Sequence, residues 1–477
     1  MSSKSTKRKL AAGGGGDAQP PPTTEAANNS SPPTKAKVRL RDVKFQPRLS
    51  LLSNFANLTS QDLSGFKNLA IVLTLMVVVT ELTNKYYESE GSKLMETFLL
   101  FLAAKNIPIM LGLYAALLVL GSSVVILHKM VMRGWLSIRL SEVIHYIIIA
   151  FMFLLPIYTL TTQRVPPPQS AFALFQMVII TMKMHSYLYQ NNGYYLRQIM
   201  QGNAKKKDDT TDEGEDEFDW LGDEQEWEQS IGADVVNEHV KYPENVTFSN
   251  FFVFIFMPTL VYMANFPRTR SIRKGFVLQT LVSIAGLVAA IYIAVAHFIL
   301  PILSKANELA FFHLLAQLSI PVMLTYMLVF FFVFEVILNG FAEVTRFADR
   351  HFYDDWWNST SYDEFARKWN RPVHGWLLRH VYNRRLRGGH GKSSALWITF
   401  IFSAVLHELL MAVAFRVIAI WIFSLMMLEL GFIYALRAFR GTNLGNLLFW
   451  CTMFLGTPLL ALLYAREYYI QEVINHL

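Results

Sequence analysis

The sequence predicts an all-α, polytopic membrane protein, on three observations. Apolar residues make up 53% of the 477 positions and the mean hydropathy is +0.30, more than a soluble domain requires. Nine segments are apolar and long enough to span a bilayer: 69–87, 108–128, 143–163, 168–190, 275–302, 309–341, 394–415, 417–436 and 444–465. The loops between them alternate in charge. Basic residues concentrate in the N-terminal tail, at Lys129, Arg133 and Arg139, at Arg197 and Lys205 to Lys207, and from Arg346 to Lys392. The intervening loops, such as 161–169 and 303–308, are short and poor in charge. Because positive loops stay cytosolic, the N-terminus is expected in the cytosol and, after nine spans, the C-terminus on the lumenal side.

Taken in order, residues 1–48 form a polar tail with Gly and Pro runs, expected to be disordered and cytosolic. Residues 49–477 form the membrane-embedded domain. The cytosolic loop 203–240 contains a dense acidic stretch, Asp208 to Glu228, which reads as a solvated segment. A tenth apolar run, Phe248 to Met263, is barely long enough to span. Lys241 precedes it, Arg268, Arg270, Arg273 and Lys274 follow, and Pro258 interrupts it. A crossing would put one basic cluster on the wrong side, so a re-entrant or interfacial helix is expected. The glycosylation patterns at Asn57 and Asn245 then both face the cytosol and are expected to stay unused.

Several function classes drop out. Cys451 is the one cysteine, so no disulfide forms within the chain. There is no phosphate-binding Gly loop, no dinucleotide fingerprint and no nucleophile elbow. No metal-ligand spacing is present, and His380 and His390 read as phosphate or interface contacts rather than zinc ligands. The net charge of +7 reflects topology and contact with anionic membrane lipids rather than nucleic acid.

Two features point to chemistry. His407 and Glu408 interrupt an otherwise apolar span, Ala395 to Phe415. An ionisable group at that depth costs roughly 2.5–3.5 kcal/mol and generally faces a cavity. Histidine there can take and return protons near neutral pH. On these residues alone, an enzyme's base and a transporter's proton relay are equally good readings. The second feature is the cytosolic loop 345–393. Trp356, Trp357, Trp369 and Trp376 sit there among arginines, and Asn370 precedes Arg371-Pro372, where a helix would break. That composition fits an amphipathic interfacial segment or a site for the phosphates of a soluble anionic cofactor.

These residues resemble the membrane-bound O-acyltransferases, in the branch of sterol and diacylglycerol O-acyltransferases. Phe352-Tyr353-Asp354-Asp355-Trp356-Trp357-Asn358 is similar to that branch's FYxDWWN signature, and Trp369 to His374 to its WNxPVH segment. Ser403 to Glu408 resembles SxxxHE, and Pro258 to Thr269 resembles PTLxYxxxYPRT with Phe266 replacing the second Tyr. Met182 to Tyr187 looks like the sterol enzymes' MKxHS element. The stretches AEVTRFADRHFYDDWWN, HVYNRRLR and VLHELLMAVAFR read like fungal sterol enzymes, whereas LLYAREYYI has a diacylglycerol-enzyme character.

The resemblance implies acyl transfer from acyl-CoA, a co-substrate with no further cofactor or metal, to a sterol 3-hydroxyl, with diacylglycerol as the alternative acceptor. It implies a multi-pass protein of the endoplasmic reticulum membrane that assembles as a homo-dimer or tetramer. His407 corresponds to the family's general base, and Asn370 to a hydrogen-bond donor for the oxyanion, a role that can contribute ~2.7–4 kcal/mol. Ser403, one helical turn before His407, would bond the thioester or the pantetheine arm. Lys392, Arg367 and His374 fall where the family binds CoA, with Tyr382 and Trp369 along the same entrance. Glu408 points about 100° away from His407 on an ideal helix and is expected to orient the site or to pair with an arginine.

Overall fold

Where no water is at hand to satisfy backbone amides, apolar runs close their own hydrogen bonds as helices. The computed structural model describes residues 106–204, 235–236, 240–306 and 308–476. The expected span at 69–87, the tail 1–48, the Asn57 sequon and the acidic stretch 208–228 lie outside the described residues.

Among the described residues, seven helices are long and apolar enough to cross a membrane. Helices α1 (Ile107–Met132), α2 (Ile138–Thr162) and α3 (Pro167–Ala204) pack together. Helix α4 is the short Phe248–Phe256. Helix α5 (Lys274–Ile293) runs on through a π segment, Ala294–Ile299, to Leu303, and α6 (Phe311–Phe330) through a second, Phe331–Ile337, to Val344. Two short helices, α7 (Tyr362–Trp369) and α8 (Arg371–Leu377), occupy the basic loop. Then come α9 (Lys392–Phe415), α10 (Trp421–Ala435) and α11 (Asn443–His476). Strand β1 (Val235–Val236) pairs antiparallel with β2 (Arg268–Thr269).

The span expected at 417–436 is a helix of 15 residues. That is about 22 Å of helix, against a hydrocarbon core of about 30 Å. Its N-terminal trim has a local cause. Arg416 and Ile420 adopt left-handed backbone conformations, and the Arg416 guanidinium donates to the Val165 carbonyl at 3.0 Å. At the same end of the bundle, Arg466 donates to the Ala306 carbonyl at 2.9 Å and Phe415 packs on Tyr464. The charge-poor loops thus meet together. The basic loops meet at the other end, where Glu343, closing the α6 run, takes hydrogen bonds from Arg273 and Arg350.

The nine residues of α4 reach about 14 Å and then stop before Pro258. The chain turns back, and the Val240 N–H bonds to Asn265 Oδ1 at 2.7 Å, so the segment leaves on the side where it entered. Lys183, 3% exposed, holds the turn. Its Nζ donates to the carbonyls of Phe254, Ile255 and Met257 at 2.9, 2.7 and 2.5 Å. A cation at a helix C-terminus satisfies the orphan carbonyls and complements the dipole.

The tryptophans of the basic loop are core rather than interface residues. Trp356 and Trp357 are 0% exposed. The Trp357 carbonyl accepts from Asn446 Nδ2 at 2.8 Å and from Trp450 Nε1 at 3.1 Å, which seats the loop on α11.

Candidate active site

Three segments converge on one turn of α3. Ser186 Oγ accepts the Tyr262 N–H at 2.8 Å and lies 2.9 Å from His380 Nε2. Trp376 Nε1 donates to the Met182 carbonyl at 2.9 Å. The broken helix after α4 and the α8 run are therefore both pinned to the Met182–Ser186 turn. His145 Nε2 and His185 Nδ1 lie 3.1 Å apart beside them. Burial, then the neighbouring His185 and Arg379, holds the His380 imidazole well below its ordinary range. His380 is thus a buried packing histidine, not the phosphate or interface contact expected of it.

The two tryptophan-bearing motifs are zipped to each other. The Phe352 carbonyl accepts the Arg371 N–H at 3.0 Å, and the Lys368 carbonyl accepts the Asp354 N–H at 2.8 Å. Asp354 pairs with Arg371 and with His351, the latter at 2.5 Å. Burial raises the Asp354 carboxyl, but these partners outweigh it and bring it down to about 2. Lys368 bridges Asp355 at 3.0 Å and Glu364 at 2.7 Å, and Asn358 donates to Asp355 at 3.1 Å. The Tyr353 hydroxyl donates to Glu335 in the α6 π segment. Trp369 stacks on Tyr326 with ring centroids 4.9 Å apart and meets Trp356 edge-on at 4.8 Å.

This scaffold fixes Asn370 at the break before Pro372. Its Oδ1 accepts the Val373 N–H at 3.1 Å, capping α8. The cap uses the amide oxygen, so the NH2 group is the part left to donate. His374 follows on the first turn. Burial, then Arg367 and Arg371, lowers its imidazole below the ordinary range. Arg367 is committed to Asp363 at 2.9 Å, a carboxylate it shares with Arg440 at 2.8 Å. The structure thus brings Arg367, Arg371 and His374 together. Lys392 is exposed at the first position of α9, and Tyr382 is half-buried at the end of the π segment after α8. Among the described residues no hydrogen bond or ion pair joins either of them to that group.

On α9, His407 Nδ1 lies 2.8 Å from the Ser403 carbonyl oxygen. A carbonyl only accepts, so Nδ1 carries the proton and Nε2 keeps its lone pair. The ring is exposed rather than packed. Glu408 turns away. Its Oε1 accepts the Ile420 N–H at 3.0 Å and the Tyr464 hydroxyl at 2.9 Å, and its Oε2 accepts the Phe423 N–H at 3.1 Å. It caps α10, and among the described residues it is paired with no arginine.

The sequence model of the membrane-bound O-acyltransferase family matches residues 169–466. The chain belongs to that family. The match covers α3 through most of α11, and so every residue of the site above except His145.

Among curated relatives, this membrane-bound O-acyltransferase is 36% identical over 316 residues to a probable sterol O-acyltransferase 2 of Schizosaccharomyces pombe (strain 972 / ATCC 24843), covering 62% of this chain and 64% of that protein. It is 36% identical over 239 residues to diacylglycerol O-acyltransferase 1 of Dictyostelium discoideum, covering 48% and 39%. It is 35% identical over 239 residues to diacylglycerol O-acyltransferase 1 of Bos taurus, covering 48% and 49%. The matches span less than two-thirds of each relative's length.

Sequence reasoning alone passed over Glu335, Glu429 and the His145–His185 pair. The signal was present for the glutamates, each a single carboxylate inside an apolar helix.

Proposed function

We propose that this chain is an acyl-CoA-dependent O-acyltransferase that esterifies a sterol 3-hydroxyl in the endoplasmic reticulum membrane. The observation that carries the reading is the His407–Ser403 bond, which leaves Nε2 its lone pair on an apolar helix. In the reaction, Nε2 takes the proton of the acceptor hydroxyl as its oxygen attacks the thioester carbonyl. The collapsing tetrahedral intermediate breaks the carbon–sulfur bond, and the proton passes from His407 to the CoA thiolate. The Asn370 amide NH2 donates to the oxyanion while its oxygen keeps the cap. Ser403 bonds the thioester or the arm. Lys392, Arg367 and His374 meet CoA at the cytosolic face, with Tyr382 and Trp369 along the entrance. The assembly is a homo-oligomer.

Diacylglycerol is the second reading of the acceptor. It is supported by diacylglycerol O-acyltransferases matching at 36% and 35%, level with the sterol relative's 36%.

The test is expression in cells lacking neutral-lipid synthesis, with steryl esters and triacylglycerols separated by chromatography. Steryl ester formation is expected, and triacylglycerol alone would assign the second acceptor. Purified His407→Ala protein should form no ester while inserting normally. More than a few per cent of wild-type turnover would remove His407 from the chemistry. Absence of any acyl-CoA-dependent product from purified wild type would return the proton-relay transporter as the better account.

A further inference from the structure

Three carboxylates inside apolar helices have partners. Glu343 holds Arg273 and Arg350, Glu408 caps α10, and Glu335 accepts the Tyr353 hydroxyl. The first two serve helix ends. Glu335 lies within the α6 run, and its partner is a neutral group. A carboxylate inside an apolar span is costly, so the residue it holds shows its use.

Glu335 has a fixed place. It belongs to the π segment Phe331–Ile337, where the Leu338 N–H reaches the Val333 carbonyl five residues back. On leaving a π turn a carbonyl loses its usual partner. The buried Asn339 amide supplies one, donating to the carbonyls of Phe334 and Glu335 at 3.1 Å each.

Tyr353 is fully buried and is the middle residue of a clamp. On one side of it the Phe352 carbonyl accepts the Arg371 N–H at 3.0 Å. On the other side the Asp354 N–H donates to the Lys368 carbonyl at 2.8 Å. These bonds grip the chain immediately after Asn370 and immediately before Trp369. The Tyr353 ring packs on Phe330 and Phe334 with centroids 4.9 and 6.0 Å apart, and the same two rings pack on Trp369 at 5.0 and 5.6 Å. Tyr353 thus has its backbone neighbours on the Trp369–Asn370 pair and its hydroxyl on α6.

We propose that Glu335 is a positioning residue for acyl transfer: it anchors the Tyr353 hydroxyl to α6 and so fixes the clamp that aims the Asn370 amide. This rests on the acyltransferase reading above and on Asn370 as the oxyanion donor. Asn370 stands at the break between α7 and α8, so the bonds on either side of it set its direction. A donor to an oxyanion is effective when it is aimed before the charge develops. Ring contacts set a direction less strictly than a charge-assisted hydrogen bond does, which is what the Glu335 carboxylate adds.

The test uses purified full-length protein, with ester formation measured against acyl-CoA and against the lipid acceptor. Glu335→Leu is expected to lower kcat about tenfold, within what a small misplacement of a catalytic group costs, and to leave both KM values near wild type. Tyr353→Phe, which removes only the hydroxyl, should lose as much, and the two changes together no more. Glu335→Gln keeps an acceptor for the hydroxyl and should recover most of the rate. The deciding measurement is made in Asn370→Asp protein, which already lacks the donor. There Glu335→Leu should change kcat by less than about twofold. A merely structural role would cost the full factor in that background too, and that result would overturn the proposal. So would wild-type kcat in Tyr353→Phe, equal losses in Glu335→Leu and Glu335→Gln, or a rise in either KM in place of the fall in kcat. If Glu335→Leu does not fold, Tyr353→Phe carries each comparison. Absence of ester formation by the wild type is a separate result that removes the acyltransferase reading and this proposal with it.

Discussion

The Tyr464 hydroxyl donates to Glu408 Oε1 at 2.9 Å, binding α11 to the residue beside His407. With the Ile420 and Phe423 N–H groups on the same carboxylate, this junction makes Glu408 a fixture of the α9–α10 corner. His407 is held in place partly because its neighbour is.

Glu408→Ala should therefore act on stability before it acts on chemistry. It leaves first-turn N–H groups of α10 and a buried tyrosine hydroxyl without an acceptor, a loss of about 1–3 kcal/mol. Thermal unfolding in detergent should shift down clearly, and Tyr464→Phe should shift it by a smaller amount. An unchanged melting curve for Glu408→Ala would show that the cap is dispensable.

Asn370 serves two ends with two atoms, and substitution separates them. Asp at 370 keeps the oxygen that caps Val373 and loses the NH2 donor. Asn370→Asp should retain near-normal stability while turnover falls by roughly 10²-fold or more. Asn370→Ala should lose both. Should Asn370→Asp turn over at the wild-type rate, the donor role is wrong. A change confined to the acyl-CoA KM would instead mean uniform binding.

Asp354 gives the motif junction a pH dependence of known sign. Its carboxyl is depressed from 3.8 to about 2 in the folded protein. Its contribution is complete above about pH 4 and fades as pH falls toward 2, because the unfolded chain takes up the proton first. Melting temperature should drop between pH 5 and pH 2.5, and Asp354→Asn should show a shallower drop. Parallel slopes for the two proteins would remove the Asp354–Arg371 pair from the acid response.

The segment 248–264 should not cross the membrane. Cysteines at Lys241 and Ser271, placed after Cys451 is replaced, should both react with a thiol reagent confined to the cytosol. Labelling of one of them from the lumenal side alone would add a span and reverse the sidedness of all that follows. It would put Lys392 out of reach of cytosolic CoA.

Asn245 shows what side-chain burial adds to a motif. Its sequon is intact, yet the residue is fully buried, and its amide donates to Asn191 at 2.7 Å and to the Tyr262 hydroxyl at 2.9 Å. Packing bars glycosylation there on either side of the membrane, and packing was not legible in the sequence.

Hydropathy is a property of consecutive residues, so the sequence by itself determined the helical membrane architecture, the broken helix at Pro258 and the histidine–glutamate pair inside the apolar run of α9. Helical spacing likewise put Ser403 one turn from His407. The partner of a polar or aromatic group is set by which helices meet, and consecutive residues carry no record of that. Only the tertiary structure decided that Trp356 and Trp357 form core, that Glu408 caps a helix, that Arg367 pairs with Asp363, and that Ser186 joins two distant segments. Among the described residues it also set Glu429 apart from the bonded Glu335, Glu343 and Glu408. All four are carboxylates in apolar runs, and they differ in what the fold brings within about 3 Å of each, the reach of a hydrogen bond.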